Sequence, residues 1–414
     1  MKVGIYTLGC KVNTYESEYI ASLFKNRGYT IASFDEDCDI YVINTCTVTN
    51  NSDKKDKKII NHVRNKNACV VVCGCFVESH KDYNFDGIDI VIGNHNKSNI
   101  VDLVEDYFIN KKQIKLIDNN IMKVGFEDMV IDSFESRTRA FVKIQDGCEN
   151  YCSYCIIPFV RGRCRSKDKD KVISEITSLV NNGYKEIVLT GIHTGNYGSD
   201  LGIKFSSLLS EILKIPNLKR LRISSIEITE LDDEFFRLLN NPILCNHLHI
   251  PLQNGSNRIL SLMNRKYTNE EFYEIVKKIR SIRNDISLTT DVIVGFPGET
   301  DDDFNENIDF IRKVGFSKVH VFPYSKRDGT KAARMDNQID PNTKKKRTKQ
   351  LLDVSLELEN NYYNSFITKD EKVLIEKVDD DYSYGHTTNY LYLKIPKKLK
   401  ENEIYDVKIS KDMF

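Results

Sequence analysis

The chain carries no net charge: Lys+Arg and Asp+Glu both number 60 in 414 residues. A whole-molecule field therefore does nothing to draw in a polyanion, and any nucleic-acid contact must come from local basic patches. Long apolar runs are missing as well. The longest, Ala68–Val77, has ten residues, too few to span a bilayer. No secretory n- and h-region opens the chain. TLGC at Thr7–Cys10 resembles a lipoprotein cleavage site, but only nine residues precede the cysteine, too few for a signal peptide. These absences predict a soluble, cytoplasmic protein with no membrane partner. The 11 cysteines are an odd number, which in such a context favours metal binding or catalysis over disulfides. The length predicts two or three domains, and the abundant Asn, Lys and Ile are a compositional bias without functional content.

Cys148, Cys152 and Cys155 in DGCENYCSYCIIP have the spacing C-x₃-C-x₂-C. Three thiolates can hold only three irons of a [4Fe–4S] cube, which leaves the fourth iron open to an exogenous ligand. A structural zinc site wants four ligands and no vacancy, and ordinary clusters take four cysteines. The spacing resembles that of the radical S-adenosylmethionine (SAM) enzymes.

In the first 110 residues the hydrophobic period alternates. KVGIYTL, DIYVINTC, CVVVCGC and DIVIG read as strands; Thr14–Arg27, Ser52–Lys66 and the stretch after Asn96 read as helices. Continuous apolar strands between helices predict a parallel, doubly wound sheet. Cys10, Cys46 and Cys75 each end one of those strands. Ligands of open α/β sheets bind at that edge, so three distant cysteines become neighbours and a second three-thiolate site is expected. Cys73 competes with Cys75, since both would point to one face of the strand. Cys75 is preferred because it follows Gly74 at the strand end. Cys38, Cys69, Cys164 and Cys245 read as small buried hydrophobes.

From Arg137 to about Pro341 the alternation restarts with six strand-like runs, AFVKIQD, EIVLTGI, RLRISSIE, NHLHIPLQ, SLTTDVIVGF and KVHVFPYS. Six β/α units with a cysteine loop after the first strand describe an incomplete (β/α) barrel. Polar residues crowd the strand ends, where barrels carry their chemistry: His193 and Thr194, Ser225 and Glu227, Gln253 with Ser256, Asp291, and Tyr324. Among these, Glu227, Gln253 and Asp291 are the candidate SAM contacts. GFPGE at Gly295–Glu299 reads as a tight turn that lets backbone approach a ligand. Arg161, Arg163 and Arg165 are candidate phosphate contacts. The basic run Thr343–Lys349 opens a long helix through Ile367, and EKVLIEK, TNYLYLKI and EIYDVKI then predict a small β-barrel of the kind that grips nucleic acid.

TLGCKVNTYES, INTCTVTN, GCF, KIQDGCENYCSYCIIPFVRGRCRS, HIPLQNGSNRILSLMNRKYT, DVIVGFPGET and GHTTNYL together resemble the radical-SAM methylthiotransferases, over nearly the whole chain. LGCKVN with KIQDGC is similar to the bacterial tRNA branch acting on threonylcarbamoyladenosine next to the anticodon. The isopentenyladenosine enzymes have a first motif resembling GCQMN, and the ribosomal-protein enzymes one resembling GCPKN. The resemblance implies an N-terminal methylthiotransferase domain (1–112), a radical-SAM barrel with helical extension (134–365) and a C-terminal TRAM domain (367–414). It implies two [4Fe–4S] clusters, an auxiliary one on Cys10, Cys46 and Cys75 and a SAM-binding one on Cys148, Cys152 and Cys155. It also implies SAM as cofactor, tRNA as substrate, and a flavodoxin- or ferredoxin-type reductant. Two departures are visible: Cys164 where the family tends to have a small polar residue, and Lys167 where Arg is usual.

The implied chemistry suits the parts. The C2–H bond of an adenine ring calls for a radical, which the cofactor supplies. Two SAM molecules are consumed, one to methylate a sulfur and one to generate the radical. The alternatives are a methylthiotransferase for isopentenyladenosine tRNA or a ribosomal protein, and a non-catalytic iron–sulfur RNA-binding redox sensor that would not turn SAM over.

Overall fold

The computed structural model describes residues 1–134 and 138–414. Six strands form the first sheet: β1 (Lys2–Thr7), β2 (Thr30–Ala32), β3 (Ile40–Thr45), β4 (Cys69–Gly74), β5 (Ile90–Ile92) and β6 (Ile114–Leu116). Every pairing is parallel, in the order β2-β1-β3-β4-β5-β6. Helices α1 (Lys11–Asn26), α2 (Asn50–Val63), α3 (Cys75–Ser79) and α4 (Ile100–Asn110) connect them. Strands β3 and β4 are buried along their whole length, so apolar clusters lie on both faces of the sheet. The strand order reverses between β1 and β3, the topological switch point at which such sheets bind ligands.

Two edge strands, β2 and β6, were not expected from the sequence. Each has only three residues and none is fully buried, so neither produces an apolar run. β6 also lies beyond residue 112, where the first unit was expected to end. Helix α1 starts at Lys11, directly after Cys10 at the N-cap position.

The second unit was expected to begin its alternation at Arg137, which lies outside the described residues. Its elements in chain order are β7 (Arg139–Lys143), β8 (Gln145–Asp146), α5 (Ile157–Arg161), β9 (Arg165–Ser166), α6 (Lys169–Asn181), β10 (Glu186–Thr190), α7 (Phe205–Ile212) and β11 (Arg220–Ile223). They continue with α8 (Asp233–Leu238), β12 (His247–His249), α9 (Asn257–Leu262), α10 (Asn269–Ile282), β13 (Ser287–Val294), α11 (Asp301–Val314) and β14 (Lys318–Pro323). All six expected strands are present. They form two three-stranded parallel sheets, β7-β10-β11 and β12-β13-β14. A bridge between Leu221 and Leu244 and a bond from Ile226 N–H to the His249 carbonyl join the sheets into one arc. Capping fixes where the outer helices begin: the Asp168 carboxylate caps α6, and Thr268 and Thr300 form reciprocal boxes with Glu271 and Asp303 on α10 and α11.

Helix α12 (Pro341–Asn364) begins with Asp340 as cap and proline at its first position, where the missing N–H costs nothing. It lies along β14, with the Ser355 hydroxyl donating to the Val319 carbonyl at 2.9 Å. β15 (Asp370–Val378), β16 (Ser383–Thr387), β17 (Tyr392–Ile395) and β18 (Ile404–Lys408) then form a four-stranded antiparallel sheet, order β17-β16-β15-β18. β16 was not predicted, because its buried positions are Ser383, Gly385 and Thr387 and carry no hydrophobic signal. No helix among the described residues is long and apolar enough to cross a membrane.

Candidate active site between two cysteine triads

Cys10, Cys46 and Cys75 follow β1, β3 and β4 around the switch point. Gly9 has φ +106°, and a Cβ there would stand 2.9 Å from the Cys46 Cβ and Sγ, so glycine is what allows the two loops to meet. Gly74, at φ +103°, turns the chain out of β4. Cys75 is therefore the first residue of α3 and does not continue the strand's face, contrary to the expectation that it shares one with Cys73. Cys73 stays in the sheet core beside Cys69 and Val71, where burial pushes its thiol up to about 12. The Cys75 thiol reaches the Asn94 Oδ1 at 3.6 Å and packs on Ile156 and Val160 of the second unit. Burial raises Cys46 to about 12, and both Cys75 and Cys10 lie near enough to repel its thiolate further. A thiol crowded as Cys46 is does not give up its proton unless a cation takes the proton's place. The donor set thus suits iron.

The second triad lies on the loop between β8 and α5. Cys155 N–H donates to the Cys152 carbonyl at 2.9 Å and Cys148 N–H to the Gly162 carbonyl at 3.1 Å. The Ser153 hydroxyl donates to the Leu262 carbonyl at 2.8 Å. All three cysteines are partly exposed, and Cys155 and Cys152 line a cavity of about 530 Å³ with Tyr151, Phe159, Lys331 and Arg334. Burial, with Cys152 and Cys148 adding, pushes the Cys155 thiol up.

Arg265, a neighbour of this loop, was not legible beforehand. Arg265 donates to the Cys152 Sγ at 3.4 Å and pairs with Glu227. Glu227 is thus engaged with an arginine at the triad. His193 lies 3.7 Å from the Cys148 Sγ and is paired with Glu230; burial would lower its imidazole, but those two partners raise it to about 11. Asp291 pairs with His249 at 3.3 Å. Gln253, at φ +67°, is held by its backbone between Asp291 and Ile293. Ser256 is buried with its hydroxyl on Asp303, Thr194 and Tyr324 are buried, and Ser225 is half-buried. In GFPGE, the Glu299 carboxylate accepts from Gly295 N–H at 2.9 Å and pairs with Arg347 of α12. Arg347 belongs to the basic run Thr343–Lys349 and is buried there, so that run is partly structural.

The expectation that Arg161 and Arg165 contact phosphate is corrected. Arg161 is fully buried, bonded to Glu16 (3.0 Å), Asp146 (3.0 Å) and the Asn13 Oδ1 (2.6 Å). Lys97 and Lys143 pair with the same Glu16, and Lys143 also with Asp146. Arg165 is turned inward onto the Arg161 carbonyl at 2.8 Å. Only Arg163 is exposed, at 67% for its side chain. The two departures from the family pattern are accommodated: Lys167 is buried on Glu175 and the Met129 carbonyl, and the Cys164 Sγ accepts from Gln145 and Ser199.

Register places Arg139, Glu186, Arg220, His247, Thr289 and Asp291 on one face of the arc, since partners across parallel strands point the same way. The β16–β17 turn seats on the start of that face. The Arg222 guanidinium donates to the Thr387 and Thr388 carbonyls, both at 3.1 Å. Tyr390 stacks on His247 at 4.8 Å and lies 4.8 Å from the Arg222 guanidinium. Lys11, beside Cys10, extends into this region within electrostatic reach of Tyr390, Arg222, Arg139 and Glu186.

The description "Radical SAM superfamily" matches residues 142–311 and "Uncharacterized protein family UPF0004" residues 2–93. The chain is 43% identical over 402 residues to the Threonylcarbamoyladenosine tRNA methylthiotransferase MtaB of Bacillus subtilis, covering 94% of this chain and 89% of the relative. It is 42% identical to the enzyme of the same name from Thermotoga maritima, over 90% and 86% of the two chains. The tRNA-2-methylthio-N(6)-dimethylallyladenosine synthase of Acetivibrio thermocellus is 35% identical, over 92% and 82%. Among solved structures, the radical S-adenosylmethionine methyltransferase TsrM from Kitasatospora setae shares the fold, with a TM-score of 0.59 at 14% identity over 80% of this chain and 76% of that one. Two cysteine triads on two α/β units, matched over at least 90% of the chain by these relatives, leave one conclusion: the chain belongs to the radical-SAM tRNA methylthiotransferase family.

Proposed function

We propose that the protein methylthiolates carbon 2 of threonylcarbamoyladenosine 3′ of the anticodon in tRNA. The observation that carries this reading is the juxtaposition of the two triads. Cys75 packs on helix α5, which follows the Cys148–Cys155 loop, and Arg161 at the end of that helix lies within the field of both Cys10 and Cys75. A base turned out of a single-stranded loop can reach chemistry at both triads only if they face one gap.

Cys10, Cys46 and Cys75 would hold the auxiliary [4Fe–4S] cluster, and Cys148, Cys152 and Cys155 the cluster that binds SAM. When bound, these groups supply the radical chemistry and the sulfur that an unactivated adenine C–H bond requires. The chain's own residues position and shield. Arg265 sets a fixed cation beside Cys152, held there by Glu227. Gln253 and Asp291 are candidates for orienting SAM on the inner face of the arc. The Arg161 network excludes water and locks the first unit onto the second.

The C-terminal sheet is read as a TRAM domain that grips the RNA. Tyr384 stacks on Tyr392, whose ring lies tilted against His386, and His386 stacks on Tyr390, which continues to His247. Lys394 sits 3.8 Å over Tyr382. Such an aromatic and basic surface suits single-stranded bases. A flavodoxin- or ferredoxin-type protein in the cytoplasm would supply electrons. Mass spectrometry of tRNA nucleosides from a deletion strain tests the function: the 2-methylthio derivative of threonylcarbamoyladenosine should vanish and its unthiolated precursor accumulate. Persistence of the methylthio nucleoside would reject the proposal.

A further inference from the structure

The two triads stand on different units, so their spacing is set by whatever holds the units together. At one end of the arc Glu16 of α1 binds Lys143 of β7 and Arg161 of α5. The other end of the arc is β14, and the loop that leaves it reaches back to the first unit. Arg327 on that loop is 5% exposed. Its guanidinium donates to the Thr47 Oγ1 at 2.6 Å, the Asn50 Oδ1 at 2.8 Å and the Asp53 Oδ2 at 2.8 Å. Thr47 directly follows Cys46, and its hydroxyl donates to the other oxygen of Asp53 at 2.8 Å. Asn50 N–H donates to the Ser325 Oγ of the same loop at 2.9 Å.

Further along, the loop meets the second triad. Gly329, Thr330 and Lys331 line the cavity with Cys152 and Cys155. Ala332 N–H donates at 2.7 Å to the carbonyl of Ser153, the residue after Cys152. The Thr330 hydroxyl closes the turn between these contacts by donating to the Arg327 carbonyl at 2.7 Å. The stretch Ser325–Ala332 thus bridges from the segment after Cys46 to the segment between Cys152 and Cys155. Resting on the proposed function, we infer that Arg327 is the positioning residue that fixes the distance between the two triads. One anchor alone leaves the first unit free to pivot about Arg161, and a second at the opposite end of the arc removes that freedom. One base must be in reach of both triads, and a misplacement of about 1 Å in such an arrangement costs roughly 100-fold in rate. Arginine suits the task because its rigid planar fork fixes the direction of each bond, which an ammonium does not.

The test compares reconstituted holoenzyme of wild type, Arg327→Gln and Arg327→Lys, with SAM, a chemical reductant and anticodon stem-loop RNA carrying threonylcarbamoyladenosine. Arg327→Gln should keep the iron content and the SAM-cleavage rate of wild type. It should form roughly 10- to 100-fold less methylthio nucleoside per deoxyadenosine released, and Arg327→Lys should recover part of that yield. Hydrogen exchange of the same holoenzymes, which needs no RNA, should quicken over residues 46–53 and 325–330 in Arg327→Gln and stay unchanged over 148–155. A yield per deoxyadenosine equal to that of wild type overturns the proposal. Loss of iron from a folded Arg327→Gln overturns it too, since Arg327 would then support the Cys46 segment and not the spacing. Should Arg327→Gln fail to fold, Asp53→Asn removes the charge from the same contact, and a wild-type yield in that variant overturns the proposal. If wild type methylthiolates no threonylcarbamoylated RNA, the functional reading fails, and the exchange comparison still decides for or against the anchor.

Discussion

Arg161 donates to Glu16 at 3.0 Å across 145 residues of sequence, and both side chains are fully buried. Arg161 follows the second cysteine triad and Glu16 lies on the helix that begins directly after Cys10 of the first, so a single ion pair ties the two halves of the site together. Lys97 and Lys143 share Glu16, and Asp146 completes the group. Burial would raise the Glu16 carboxyl, but Arg161, Lys143 and Lys97 hold it well below the usual carboxylate range. Breaking such a pair strands a buried charge. Arg161→Met should therefore destabilise the protein by about 3–5 kcal/mol, read as a fall in the thermal midpoint. It should also lower the reduction potential of the cluster at Cys10, Cys46 and Cys75, because a positive charge near the thiolates is lost. An unchanged melting curve and an unchanged redox titration would show that the pair does neither.

Iron content separates the two triads. Reconstituted wild type should bind about eight irons, two cubes of four. Replacing Cys148, Cys152 and Cys155 together with Ala should leave about half, and so should replacing Cys10, Cys46 and Cys75. Cys73→Ala removes a sulfur from the sheet core and should leave iron unchanged, whereas Cys75→Ala should not. Loss of iron from Cys73→Ala with none from Cys75→Ala reverses the ligand assignment.

The strands were legible because apolar runs announce them, and the six of the arc and four of the first sheet appear where the runs fall. The cysteines were legible for a related reason: each follows a strand, and strand ends share one edge. The charged residues were not. Arg161 reads in sequence as one of three exposed arginines, and only folding discloses that Glu16, 145 positions earlier, captures it. Arg265 sits inside a quoted motif, yet its role depends on which neighbours pair with it, which spacing does not encode. Strands β2, β6 and β16 escaped notice because short edges and small polar side chains leave no periodic signal.

Tyr384 and Tyr392 present stacked rings at 6.2 Å, Tyr392 being 45% exposed. Base stacking on such rings is worth about 1–3 kcal/mol per base. The double variant Tyr384→Ala with Tyr392→Ala should raise the KM for full-length tRNA by at least roughly 10-fold. Its cleavage of SAM without RNA should match wild type. An unaltered KM would place the RNA elsewhere on the protein.

Glu186 is fully buried among three arginines. Burial would raise its carboxyl, but Arg222, then Arg139 and Arg220, outweigh that and hold it at about 2 against an ordinary value of 4.5. A carboxyl depressed on folding contributes stability in full above its unfolded value, and that contribution fades as pH falls toward the folded one. Glu186→Gln should destabilise the protein by about 3–5 kcal/mol at pH 7, and the gap from wild type should narrow steadily between pH 4.5 and 2. Denaturant midpoints across that range measure it. A gap independent of pH would show that Glu186 is not ionised in the folded state.

The proposed function puts a threonylcarbamoylated adenosine in the gap between the triads. The direct measurement is turnover by reconstituted enzyme, with SAM and a reductant, of two otherwise identical tRNAs. One carries threonylcarbamoyladenosine and the other isopentenyladenosine 3′ of the anticodon. A site whose polar groups expect a carboxylate and hydroxyl rejects a substrate that lacks them. Methylthiolation of the threonylcarbamoylated tRNA alone is expected; equal or faster turnover of the isopentenylated tRNA would reject the proposed substrate.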